Sequence, residues 1–112
     1  MNLNNIYVSG ELEEKEIVFA GETLKIKVRP VTYSMKTTIL HNCLRYNKKQ
    51  EATFNHGQYI EDMLMAMIVE APWGVTDRSF FKRLKPEFGA ELEKLVPHPQ
   101  ESSDDEDFFD GT

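Results

Sequence analysis

At 112 residues and 40% hydrophobic content, the chain has the length of one domain and enough apolar side chains for a single core. Its formal charge of −6 sits at one end: residues 97–112 hold six acids (Glu101, Asp104, Asp105, Glu106, Asp107, Asp110) and no Lys or Arg, while the other 13 of the 19 acids balance all 13 Lys and Arg in residues 1–96. A neutral body argues against the one-sided basic face by which nucleic-acid-binding domains neutralise phosphates, and a single cysteine, Cys43, excludes an internal disulfide.

Nothing at the amino terminus resembles a secretory signal, and the longest apolar-rich stretch, Met63 to Val69, is far shorter than the roughly 20 residues a membrane span requires. The expectation is a cytosolic protein with no membrane contact. Residues 1–14 read as a flexible arm or, through Ile6-Tyr7-Val8, an extra strand. Residues 15–96 read as a single α+β domain and 97–112 as a disordered acidic tail.

The first clear element is a β-hairpin over Glu16 to Arg29, with Gly21-Glu22 as its turn and Gly21 supplying the positive φ of a type II′ loop. In its second strand Leu24, Ile26 and Val28 alternate with Lys25, Lys27 and Arg29, which predicts one buried and one wet face. Pro30 ends the strand. A two-stranded sheet does not stand alone, so the hairpin must pack on helices or gain a strand from the amino terminus or a neighbouring copy. That requirement leaves homo-oligomers open.

Ser34 caps a predicted helix whose stripe is Met35, Ile39, Cys43 and Tyr46, followed by the polar linker Asn47 to Gly57. A second helix carries Tyr59, Ile60, Met63, Leu64, Met67, Ile68 and Ala71 on one broad apolar side. Pro72-Trp73-Gly74 breaks it. Thr76 or Asp77 then caps a short helix with Phe80, Phe81 and Leu84, and Pro86 opens a last helix lined by Phe88, Leu92 and Leu95. The layout is a short amino-terminal hairpin packed against three to four helices.

No constellation for chemistry is visible. His41, His56 and His98 have no ligand partner at metal spacing, Cys43 has no adjacent base and reads as a small buried hydrophobe, and no phosphate loop or nucleophile elbow occurs. Glu61 and Asp62 are adjacent on a helix and read as separate solvated charges. We therefore expect no enzyme, no cofactor and no metal, but a protein-binding domain. Met63 and Met67 belong to the core stripe, whereas Met65 points elsewhere and is a candidate contact. Trp73 is either a plug under its turn or an interface anchor, and consecutive Phe80 and Phe81 diverge by about 100° on a helix, so one faces another helix or another protein. In the tail, Phe108-Phe109 follows four consecutive acids, an acidic-aromatic segment suited to docking in an apolar groove with a basic rim.

From about Glu16 to Leu95 the chain resembles the small tail assembly chaperones of long-tailed bacteriophages and prophages. The resemblance lies in the hairpin ending in Val28-Arg29-Pro30, the two helices after it, the Pro72-Trp73-Gly74-Val75 break, and Phe80-Phe81-Lys82-Arg83-Leu84 with Leu92 and Leu95. It implies a host-cytoplasmic protein that binds the tape measure protein, keeps it soluble and helps recruit tail tube protein. It transfers no binding residues. Two other readings stand beside it: an acidic inhibitor or DNA mimic, and a structural phage subunit whose hairpin edge completes a neighbour's sheet.

Overall fold

The computed structural model describes residues 3–97, so the tail, with His98, Phe108 and Phe109, lies outside the described residues. The expected α+β layout is present: a hairpin at the amino-terminal side and four helices. Leu3–Ile6 forms a single 3-10 turn and no strand forms over Ile6–Val8.

Strand β1 (Glu13–Phe19) pairs antiparallel with β2 (Glu22–Val28), with Phe19 opposite Glu22 and Ile17 opposite Leu24. The buried face carries Ile17, Ile26 and Val28, as the alternation of β2 predicts. On the outer face acids meet bases, Glu14 opposite Lys27 and Glu16 opposite Lys25. The turn differs from expectation. Its two residues are Ala20 and Gly21, with φ of 53° and 79°, so both central positions are left-handed, the type I′ pattern and not type II′. The alternation permits both registers, because a slip of one residue on each strand keeps the same side chains inside.

Helix α1 (Tyr33–Asn42) is capped by Thr32, whose Oγ1 accepts from the Met35 N–H at 3.1 Å; Ser34 is already inside the helix. The helix has no fully buried residue, and Ile39 and Leu40 pack on the core only in part. It stops at Asn42 because the next residues pair: β3 (Leu44–Tyr46) runs antiparallel to β4 (Ala52–Phe54), and Tyr46, expected on the helix stripe, is an exposed strand residue. The first part of the polar linker, residues 47–51, is therefore a hairpin loop, and the rest is β4 and the start of the next helix. Asn47 organises the loop, its Oδ1 accepting from the N–H groups of Lys49 (2.8 Å) and Glu51 (2.9 Å).

Helix α2 (His56–Met67) starts at an Asn55 cap that accepts from the Gln58 N–H at 3.0 Å, and it buries Tyr59, Met63, Leu64 and Met67 at the centre of the domain. The predicted helical stripe runs too far. At Ile68 the backbone turns extended, and β5 (Ile68–Glu70) joins β2 as the third strand, giving the order β1-β2-β5 with a bulge beside Val28. Ile68-Val69 is a β-branched pair, and β2 has N–H and C=O groups to satisfy on its second edge; both favour strand over helix. The missing strand thus comes from this chain. Helices α3 (Arg78–Lys82) and α4 (Pro86–Glu93) complete the layer, α3 capped by Asp77 through the Phe80 N–H at 2.9 Å and α4 opened by Pro86. Phe80, Phe88, Leu92 and Val96 close the core.

A candidate protein-binding surface

The break after β5 is a turn in which the Gly74 N–H donates to the Ala71 carbonyl at 3.1 Å; Pro72 occupies the position its fixed φ suits, and Gly74 takes a φ of 90°. That turn presents Trp73 to α3. The indole stacks on Phe80 with ring centroids 5.0 Å apart and planes 16° from parallel, and it meets the edge of Phe88 at 5.7 Å. Its Nε1–H donates to Thr76 Oγ1 at 2.9 Å, so the polar end of the ring is satisfied within the same loop. Phe88 in turn contacts Phe19 of the hairpin at 5.1 Å, and Phe81 lies edge-on to Phe80 at 5.3 Å. Rings from β1, the turn, α3 and α4 thus form one continuous cluster.

Burial divides the candidates. Phe80 is buried and belongs to the core; Trp73 and Phe81 pack on that core yet keep part of their surface open. Trp73 is thus a plug on one side and keeps an accessible ring on the other. Met65 is half-buried on α2, an element outside this cluster, and does not pack on the buried core as Trp73 and Phe81 do. Val75, 75% exposed two residues after Trp73, extends the apolar surface, and the sequence reading passed over it. Its signal was there in principle: an aliphatic residue in a turn segment has no helix or strand face to bury.

No family model matches the chain, and no curated protein or solved structure matches it.

Glu61 and Asp62 do share a partner, contrary to the expectation of separate charges. The Arg78 guanidinium donates to Glu61 Oε1 at 2.7 Å through one nitrogen and to Asp62 Oδ1 through the other. Adjacent side chains diverge on a helix, but a planar fork reaching in from α3 spans the divergence. The hydrogen bond to Glu61, ahead of that to Asp62, holds the Arg78 pKa above its ordinary value. Asp62 also accepts from Gln58 Nε2 at 3.3 Å and lies 3.9 Å from Cys43 Sγ. Cys43 is fully buried, and burial first, then the Asp62 charge, pushes its thiol pKa up. A raised pKa is the reverse of what a nucleophilic thiol needs.

Among the described residues no Asp, Glu, Lys, Arg or His is buried, and no group of three His, Cys, Asp or Glu side chains could hold a metal ion. His41 and His56 are both exposed. No described helix is long and apolar enough to cross a membrane. What this surface offers is a half-open aromatic ledge packed on the core.

Proposed function

We propose that the chain is a non-catalytic tail assembly chaperone of a long-tailed phage or prophage, which binds the tape measure protein in the host cytoplasm and holds its apolar helical stripes apart until tail tube protein assembles around it. The observation that carries the binding role is the Trp73–Phe81 ledge: two large rings fixed from behind by Phe80 and Phe88, yet open in front. Rings already held in place lose little conformational entropy on binding, and an amphipathic helix laid on them buries its apolar side without a new core having to form. The naming of the partner rests on the resemblance in layout from Glu16 to Leu95. A contact made on two partly open rings suits a partner that tube assembly can displace.

The rival readings fare less well. A DNA mimic needs an array of unpaired carboxylates on a folded face, but the acids of the outer sheet face stand opposite Lys25 and Lys27. A subunit completing a neighbour's sheet would use the edge of β1, which carries Glu13, Glu14, Lys15 and Glu16, the charges that discourage edge pairing.

The test is co-expression with the long helical protein encoded nearby. Its soluble fraction should rise with this chain and fall back with Phe81→Ala, whose folded state is verified separately by circular dichroism. Equal solubility with and without the chain removes the proposal.

A further inference from the structure

A second surface, lined by residues distinct from the aromatic ledge, lies where the described chain ends. A groove of about 300 Å³ runs between the start of β1, the end of β2 and residues 94–97. Val28, Met67 and Val96, all buried, form its apolar floor, while three cations, Lys15, Arg29 and Lys94, and one acid, Glu13, rim it. Lys15 is partnered by Glu13 at 3.3 Å and Lys94 by Glu91 at 3.0 Å, but Arg29 is exposed and makes no ion pair among the described residues. Pro97 forms part of the groove wall, and its carbonyl accepts from the Tyr59 hydroxyl at 2.7 Å, so the point from which the chain continues is fixed to the core.

We infer that this groove is the docking site of the chain's own carboxyl-terminal segment, residues 98–112, the acids Asp104 to Asp107 meeting Arg29 and the rim lysines while Phe108 or Phe109 covers the apolar floor. Three observations converge on that occupant. The body is neutral overall and the continuing segment carries the whole net charge of −6, so the cationic rim and the acidic run are complementary within one chain. The segment leaves from the groove wall itself. Its length also suffices: six residues separate Pro97 from Asp104, a reach of about 25 Å in extended chain, enough to turn back across a groove that begins at Pro97. A short tether holds its end at an effective concentration on the order of 1 mM, so contacts too weak to hold a free peptide keep a tethered one docked. Because much of the attraction is between exposed charges, it weakens when the Debye length drops to about 3 Å at 1 M salt. The inference is independent of who the protein's partner is.

The full-length chain with Gly111→Cys tests it. Buried Cys43 leaves the new thiol as the site of nitroxide labelling. Paramagnetic broadening at the backbone amides of Lys15, Arg29 and Leu95 should fall at least threefold in 1 M NaCl, in Arg29→Gln, and in the full-length variant with Asp104, Asp105 and Asp107 changed to Asn and Glu106 to Gln. A tail that is merely near its exit broadens the same amides, but equally in all these conditions, and that result overturns the proposal. Broadening centred on the amides of Trp73 to Phe81 overturns it as well, as does broadening of isotope-labelled, nitroxide-free chains mixed with nitroxide-bearing ones, which would place the segment on a second copy.

Discussion

The tight turn of the β1–β2 hairpin makes a substitution at Ala20 a quantitative test of the register. Ala20 has a φ of 53° and is exposed, so it pays the steric cost of the left-handed region and no packing is lost on trimming it. That cost is about 1–2 kcal/mol for an L-residue, and the extra freedom glycine brings to the unfolded chain returns about 0.4–1 kcal/mol of it. Ala20→Gly should therefore stabilise the domain by about 0.5–1 kcal/mol, raising the melting temperature by roughly 2–8 °C at this size. Gly21→Ala is the mirror experiment: φ is 79° and no atom lies within 4 Å of an added Cβ, so only backbone strain enters, and stability should drop by a similar amount. Urea and thermal denaturation followed by circular dichroism measure both. Were Ala20 the last residue of a regular strand, as a Gly21-Glu22 turn would have it, Ala20→Gly would instead cost about 0.5–1 kcal/mol, and that sign refutes the register.

Further outcomes are expected at three residues. Cys43 should be inert to a thiol-reactive dye at pH 7 in the native state and react once unfolded; native labelling at the unfolded rate would contradict its burial. Its folded pKa lies above the ordinary 9.0, so the unfolded thiol ionises first, and the stability it contributes is complete below pH 9 and lost as the pH rises toward the folded value, a decline that Cys43→Ala should flatten. Arg78→Leu should cost roughly 1 kcal/mol, and Arg78→Lys should restore little of it, because an ammonium lacks the fork that reaches both carboxylates. A double-mutant cycle with Asp62→Asn should be non-additive; strict additivity would mean that the pair is not coupled. Trp73, the only tryptophan, should emit at shorter wavelength when folded than in urea, and Trp73→Ala should destabilise more than Phe81→Ala since it loses contacts with both Phe80 and Phe88.

Much of the fold was legible in residue order. Alternation in β2 identified its buried face, the apolar spacing of Tyr59, Met63, Leu64 and Met67 identified the central helix, and Pro86 marked where α4 begins. The errors have local physical causes. Cys43, Leu44 and Tyr46 fit a helical stripe, and strands of three residues are too short to show a period of their own, so the β3–β4 hairpin was hidden behind α1. Ile68 and Ala71 likewise continue the spacing of α2, and only pairing with β2, a contact distant in sequence, turns Ile68–Glu70 into a strand. The aromatic candidates were visible by type, but which ring of Phe80-Phe81 turns inward depends on the position of α3 against the Pro72–Gly74 turn. The Arg78 bridge escaped notice because Arg78 lies on α3 and both carboxylates it joins lie on α2.

The direct passage from α2 into β5 has a consequence for how the molecule comes apart. Met67 ends the helix, its carbonyl accepts from the Arg29 N–H at 2.8 Å, and the next residue opens the strand, so no slack separates the two layers. The inner strand β2 cannot keep its second row of hydrogen bonds if α2 melts, and α2 cannot drift from the core without stripping β5 from the sheet. Amide exchange at Arg29, whose N–H donates to the Met67 carbonyl, should then proceed with the same opening free energy as exchange at Met63 and Leu64, since the inner strand's second row and the central helix open together.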